Sequence, residues 1–465
     1  MEVNGYHGKT LDLLVKSHVT IGDHIYIEST GGKYCGILIP RYEHATPDRI
    51  VVKLENGYNT GVSINKIKSI RKVEKHAALT NSKKDSSINR DQSSLNSIDL
   101  QLGNILNPEE KSTNPPAVSL ISTGGTISSR VDYRTGGVRS ALTASDLYES
   151  VPELREYASI DPEELFTEYS ENLTPEHWTK IAKTVHEKIL SQKYKGIIIS
   201  HGTDTMHYTS AALSFALQNL PIPIILVGAQ RSSDRPSSDA ALNLLGASVI
   251  ATKSNIAGVF VVMHNSISDD VIACHLGTRV RKNHTSRRDA FQSIDVDPVA
   301  IVKGENIELS ARNSQISLHS RRNGIEKVVA KPNFDNRVSL IRFYPGFDPR
   351  IIDYCVQLGN KIIILEGTGL GHVSRDCIPS LQNAVRNKVL VFVTSQCIWG
   401  RTGLDVYETG RDLLNIGIIP LRNMLTETAT VKAMWALANF KNPGEIRQVM
   451  EDNVANEITT RIPIK

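Results

Sequence analysis

"SLISTGGTISS", Ser119–Ser129, is the stretch on which the fold turns. A short apolar run ends in a Thr-Gly-Gly-Thr turn, which is the pattern of a buried strand delivering a loop at its carboxyl end. Three uses fit such a turn: a phosphate cradle, a tight structural turn, or a loop presenting a threonine hydroxyl. Glycine relieves the steric limits on the turn and lets backbone N–H groups approach a ligand. The spacing is neither G-x-x-x-x-G-K-[ST] nor G-x-G-x-x-G, which counts against phosphate. Taken alone, a plain structural turn accounts for it best.

Working outward, the chain after Pro116 alternates strand and helix. "AVSLIS" and "KGIIIS" are short buried strands. Between them "TPEHWTKIAKTVHEKILSQ" is a helix with Thr174 as N-cap, Pro175 in its first turn, and Trp178, Ile181, Ala182, Val185 and Ile189 on one face. The helix "YTSAALSFALQNL" and the strands "IPIILVG" and "GVFVVMH" continue the alternation, which predicts a doubly wound parallel sheet. A second α/β unit follows from near Arg337, with strands "VSLIRFYP", "KIIILEGTG" and "KVLVFVTSQ" and a helix "TATVKAMWALANF" whose Met434 and Trp435 read as core.

The first part of the chain differs. Residues 1–76 hold short β-rich runs separated by turn residues and read as a small antiparallel β-barrel accessory domain. Residues 77–116, with "LTNSKKDSSINRDQSSLNS" and "NPEEKSTNPP", are polar and poor in aromatics, and read as a flexible linker. The expected organisation is then 1–76 barrel, 77–116 linker, 117–325 large α/β catalytic domain, and 335–465 smaller C-terminal α/β domain with tail. Composition bounds the function classes. With 40% hydrophobic and 22% charged residues among 465, an ordinary globular core is expected. The net charge of +4 is too mild to argue for nucleic acid by itself. Five separated cysteines without a C-x-x-C pair argue against a disulfide frame or zinc site. No membrane span or leader pattern is seen, so a cytoplasmic protein is expected.

A second threonine-bearing loop lies in "SHGTDTMHYTSAAL", Ser200–Leu213, where Thr203 and Asp204 follow a strand and precede a helix. Helix capping by Asp204 or Thr205 is the plain alternative. Two such loops on neighbouring strands favour a site. A hydroxyl becomes nucleophilic only if a base takes its proton, and a lysine made neutral by burial and steered by an aspartate can do this. Lys282, in "HLGTRVRKNHTSRRDAF", is a candidate. Against it stands a solvated basic loop or phosphate-contacting patch of Arg279, Arg281, Lys282, Arg287 and Arg288, which composition alone favours.

"STGGTIS", "SHGTDTMHYT" and "RKNHTSRRDAF" together resemble the bacterial-type L-asparaginase family over most of residues 117 to 440. The resemblance implies a large α/β domain plus a smaller C-terminal one. It assigns Thr126 as nucleophile, and Thr203, Asp204 and Lys282 as the second catalytic threonine and its assisting pair. Tyr133 is similar to the loop tyrosine that closes over substrate, in a loop shorter than that of free asparaginases. Ser170 and Glu171 match the segment holding the substrate's α-carboxylate and α-amino groups, where asparaginases often carry Gln in place of Glu171. Backbone N–H groups around Gly124, Gly125, Gly202 and Thr203 would stabilise an oxyanion. Glu427 resembles a residue placed near a neighbouring subunit's site. No metal is implied.

The barrel and linker, with "SRVDYRTGGVRSALTASDL" and "SQCIWGRTGLDVYETGRDLL", further resemble the family of D-type, asparaginase-like subunits of archaeal glutamyl-tRNA(Gln) amidotransferases. That resemblance implies release of ammonia from glutamine or asparagine. It also implies a tRNA-binding partner, the E-type amidotransferase subunit, which uses ATP and Mg2+ to activate the glutamyl group, while this chain binds no cofactor. A homodimer within a heterotetramer is implied, with tRNA contacted mainly through the partner. Residues 1–76 carry 11 Lys and Arg against 8 Asp and Glu, which leaves protein and RNA contact both open for the barrel. A stand-alone asparaginase or glutaminase is the alternative. A third reading is an assembly protein with a decayed site, which the four occupied catalytic positions argue against.

Overall fold

The computed structural model describes residues 6–30, 32–39, 48–54, 59–73, 115–125, 127, 129–131, 138–140, 143–149, 151, 153–232, 238–311, 313, 316–325 and 327–460. The chain divides into two compact units, one holding the described residues up to Pro115 and the other those from Pro116 onward. Almost all of the expected linker lies outside the described residues.

The first unit opens with a helix, α1 (Lys9–Lys16), followed by β1 (His24–Ser29), β2 (Gly32–Leu38), β3 (Arg49–Leu54), β4 (Asn59–Ser63) and β5 (Ile67–Lys72). These strands form an antiparallel sheet in the order β4-β3-β2-β1-β5. Along β1 the burial alternates, with Ile25, Ile27 and Ser29 inward, as period-2 geometry requires of a sheet with one covered face. Leu14 of α1 and Tyr6 pack into that core. The Tyr6 hydroxyl donates to the Ile39 carbonyl at 2.9 Å and accepts from the Val51 N–H at 3.0 Å.

The second unit is built on β6 (Ala117–Gly124), β7 (Ser159–Glu168), α2 (Pro175–Leu190), β8 (Gly196–Ser200), α3 (Met206–Ala216), β9 (Pro223–Val227), α4 (Ala240–Lys253) and β10 (Ile256–His264). The five strands are parallel in the spatial order β7-β6-β8-β9-β10. In chain order this is 2-1-3-4-5, so the winding reverses between β6 and β8. In open α/β sheets such a reversal is where ligands bind, outside the strands' carboxyl ends. Sequence order alone implies a wholly parallel sheet, but β11 (Ile272–Leu276) turns back antiparallel on β10. A short hairpin, β12 (Val280–Lys282) with β13 (Phe291–Ser293), then leaves the sheet. β14 (Ala300–Lys303) and β15 (Asn306–Leu309) extend the antiparallel edge.

Both faces of the parallel part are covered, which is why its strands read as continuous apolar runs. On one face Leu120, Ile198, Ile225 and Phe260 meet Leu244, Ala247 and Ile250 of α4. On the other Ile121, Ile197, Ile199 and Leu226 meet Ile181, Val185 and Ile189 of α2 and Leu213 of α3.

The C-terminal half contains β16 (Val338–Arg342), α5 (Arg350–Gln357), β17 (Ile362–Gly367), α6 (Ile378–Arg386), β18 (Leu390–Ser395), α7 (Glu408–Asn415), β19 (Ile419–Pro420), α8 (Thr426–Asn439) and α9 (Pro443–Glu451). Its four parallel strands run in simple order β16-β17-β18-β19. Trp435 of α8 stacks on Phe215 of α3 with ring centroids 5.7 Å apart. Fully buried Arg279 completes the join, donating to the carbonyls of Asn423 at 2.7 Å and Glu457 at 3.0 Å and to the Asp295 carboxylate at 3.1 Å. Among the described residues no helix is long and apolar enough to cross a membrane.

Candidate active site

Glycines bring the loops together at this end of the sheet. Gly124 and Gly125, at the end of β6, have φ of 96° and 87°, a region open to glycine and costly for other residues. A Cβ on Gly125 would sit 2.3 Å from the Gly202 nitrogen, and one on Gly124 would sit 2.6 Å from the Glu168 carbonyl oxygen. A Cβ on Gly202 would meet Ser170 at 2.7 Å. The loops after β6, β7 and β8 therefore touch backbone to backbone, and larger side chains would force them apart. Thr123 adds a tie between the strands, its hydroxyl donating to the Ser200 carbonyl at 2.8 Å.

Lys282 reaches this point from the β12–β13 hairpin, where it pairs with buried Phe291. Its Nζ lies 2.8 Å from Thr203 Oγ1 and 2.7 Å from Asp204 Oδ1. The lysine side chain is 9% exposed and that of Asp204 68%, while Thr203 is buried. An amine thus stands directly on a hydroxyl, with a carboxylate holding it in place from the solvent side. The capping alternative fails for both candidates. Asp204 is engaged with Lys282, and the hydroxyl of Thr205, the residue just before α3, donates instead to the Ser170 carbonyl at 2.6 Å.

In the basic stretch the four arginines each have a carboxylate partner. Arg279 is enclosed with Asp295, and Arg281 bonds Glu427 at 2.6 Å. Arg287 pairs with Asp289, and Arg288 with Asp269. Lys282 alone of the five meets the threonine loop.

Ser170 is buried against Gly202, and Glu171 is exposed in the same turn, Ser170–Asn172. Both lie beside the Thr203 loop. Glu427 is tied to Arg281, the neighbour of Lys282. Thr126 and Tyr133 lie outside the described residues. Among the described residues no group of three or more His, Cys, Asp or Glu could hold a metal ion.

One group at the site has no signature in the sequence. His201 is fully buried, and burial pushes it down to about 4, so it is neutral at physiological pH. Its Nδ1 lies 2.6 Å from the Gly202 carbonyl and its Nε2 2.8 Å from Thr209 Oγ1. A histidine after a buried strand carries no local sign of such partners, since one of them comes from a helix that follows it.

Comparison with known proteins matches three family models: Asparaginase, N-terminal, over residues 117–315; Glutaminase/Asparaginase C-terminal domain over 337–450; and GatD N-terminal domain over 19–73. The chain is 44% identical to the D-type subunit of glutamyl-tRNA(Gln) amidotransferase from Pyrococcus abyssi, covering 96% of this chain and 97% of that protein. It is 40% identical to the protein of the same name from Thermofilum pendens, covering 98% and 97%. Among solved structures it is similar to the L-asparaginase of Thermococcus kodakarensis, with TM-score 0.66 and 34% identity over 74% of this chain and all of that one. L-asparaginase I of Vibrio cholerae gives TM-score 0.65 and 27% identity over 74% of this chain and 99% of that one.

Proposed function

The chain belongs to the family of D-type glutamyl-tRNA(Gln) amidotransferase subunits, and from that premise we propose that it is the amidohydrolase component of a tRNA-dependent amidotransferase. It frees ammonia from the side-chain amide of glutamine or asparagine for the conversion of Glu-tRNA(Gln) to Gln-tRNA(Gln). The observation that carries this reading is the contact of Lys282 with both Thr203 and Asp204 at the winding reversal of the sheet.

The reaction is acyl transfer. Lys282, in its neutral form and oriented by Asp204, takes the proton of the Thr203 hydroxyl. The hydroxyl that attacks the amide carbon is that of Thr203, or that of Thr126 passing its proton through Thr203. Backbone N–H groups of the Gly124-Gly125 and Gly202-Thr203 loops meet the oxyanion. When the C–N bond breaks, the proton held by Lys282 passes to the departing nitrogen, ammonia leaves, and an acyl-threonine ester remains. Water then hydrolyses the ester to the free acid. Ser170 and Glu171 hold the substrate's α-substituents, and Tyr133 closes over it.

Ammonia passes to a partner that binds the mischarged tRNA, where ATP and Mg2+ activate the glutamyl group; this chain itself uses no cofactor. The assembly is a cytoplasmic heterotetramer around a homodimer of this chain, and the N-terminal domain contacts the partner or the tRNA.

Thr126→Ala or Lys282→Ala abolishes glutamine-dependent amidation by the complex and leaves amidation from added ammonium intact. Loss of both in a folded variant would contradict this division of labour. Rapid hydrolysis by the isolated chain, with no stimulation by partner, ATP and Glu-tRNA(Gln), would favour a stand-alone asparaginase or glutaminase instead.

A further inference from the structure

Behind the Thr203 loop runs a buried chain of hydrogen bonds whose direction is fixed at both ends. Trp178 Nε1 donates to Thr209 Oγ1 at 3.1 Å, because an indole N–H can only donate. At the other end the Gly202 carbonyl can only accept, so His201 Nδ1 carries the proton of the 2.6 Å contact. In a neutral imidazole Nε2 is then the acceptor, and the Thr209 hydroxyl donates to it across 2.8 Å. His201 and Thr209 are wholly buried, and Trp178 is 7% exposed. Every group of the chain is satisfied with no net charge.

The chain ends on the peptide that enters the site. In a trans peptide the carbonyl and the next N–H point in opposite directions, and the described residues contain no cis bond. Holding the Gly202 carbonyl toward His201 therefore turns the Thr203 N–H the other way. Among the described residues nothing accepts from that N–H, although Thr203 is only 6% exposed. Buried backbone N–H groups are nearly always paired, with protein, ordered water or a bound ligand. A hydrogen bond onto the carbonyl also polarises the peptide and strengthens its N–H as a donor.

Resting on the amidohydrolase reading above, we propose that Trp178, Thr209 and His201 form a neutral relay that aims the Thr203 N–H at the oxyanion, with His201 as the positioning residue. His201 never exchanges a proton with the substrate. Its contribution is felt in the transition state and little in substrate binding.

The test uses the full chain with its partner, following ammonia release from glutamine and asparagine. His201→Leu lowers kcat by roughly tenfold or more while KM stays within about threefold, a smaller loss than deleting an oxyanion donor outright. His201→Asn keeps an N–H near the Nδ1 position and recovers most of the rate. Thr209→Val, which removes the donor to Nε2 and the acceptor of Trp178 but leaves His201 in place, gives a partial loss and serves if the leucine variant does not fold. Nitrogen-15 NMR of histidine-labelled protein shows the Nδ1–H tautomer of His201, unchanged from pH 8 to 5. A His201→Leu variant as fast as the parent, an asparagine variant no better than leucine, or an Nε2–H tautomer would each overturn the relay. A parent protein that frees ammonia from neither amide would sink the amidohydrolase reading and the relay with it. Normal parental turnover beside an unimpaired leucine variant would sink the relay alone.

Discussion

Gly125 shows how little room the site leaves. Alanine there must accept a φ of 87° and place a Cβ 2.3 Å from the Gly202 nitrogen, so the loop carrying Thr203 has to move away from Lys282. Displacements of about 1 Å cost roughly a hundredfold in rate when groups must be aligned. Gly125→Ala is therefore expected to lose ammonia release by that order, whereas Gly403→Ala, whose Cβ would meet only ordinary contacts at 3.6 Å, leaves the rate within about twofold; a steady-state ammonia assay on both decides. Thr203→Val keeps the shape and removes the hydroxyl that Lys282 touches. A rate loss on the order of 10² to 10⁴ is expected if the proton passes between these two groups, and an undiminished rate would exclude Thr203 from the proton path. At this scale the residues Thr203 and Asp204 are legible from their place between strand and helix. Lys282 is not, because composition presents it as one of five cations, and only its contact with the Thr203 hydroxyl sets it apart.

The helices differ in how plainly they announce themselves. α2 shows a one-sided stripe, and its buried residues Trp178, Ile181, Ala182, Val185 and Ile189 are those the 3.6-residue period selects. α4 shows none, because it is buried nearly all round, from Ala240 and Leu244 to Gly246, Val249 and Ile250. What starts α4 is a tertiary arrangement: the enclosed Asp239 carboxylate accepts from the Gln230 and Arg231 N–H groups at 3.0 Å and from Asn243 Nδ2 at 3.1 Å. Asp239→Ala strands those donors inside the protein. A destabilisation of about 2 to 3 kcal/mol is expected in denaturant unfolding, with a loss under about 0.5 kcal/mol counting against this account. β11 and β15 each turn back antiparallel on the strand before them. The links into these two strands are too short to carry a crossover helix, which a parallel return would need.

At the scale of the whole molecule, a charge pair taken out of water ties the end of the chain to α8. Lys432 and Glu457 are both fully enclosed, and the lysine also donates to the Asp452 carbonyl at 2.6 Å. Burial lowers the Lys432 pKa, opposed by the Glu457 charge. Lys432→Met leaves the carboxylate without its cation and is expected to cost about 3 to 5 kcal/mol, while Lys432→Met with Glu457→Leu recovers most of it. Calorimetry of the single and double variants checks the pairing. Acid sensitivity should come from histidines. Burial pushes His201, His207 and His275 each down to about 4. Between pH 6.5 and 4 the unfolded chain binds protons that the folded chain refuses, so stability falls as pH falls through that window, by roughly 1 kcal/mol per unit for each histidine. A melting temperature flat from pH 7 to 5 would contradict their burial in the neutral form.

The sequence by itself determined the alternation of strands and helices, the two threonine loops and the family, because these rest on local pattern: apolar runs covered on both faces, glycines at strand ends, caps and stripes. The tertiary structure decided which of those parts meet. The reversal of winding between β6 and β8 brings "STGG" and "SHGTD" together, and the β12–β13 hairpin carries Lys282 to Thr203 from far along the chain. Trp178, Thr209 and His201 become one polar chain for the same reason. Contact between distant residues is set by packing and by the need to satisfy buried polar groups, neither of which is written in any single stretch of sequence.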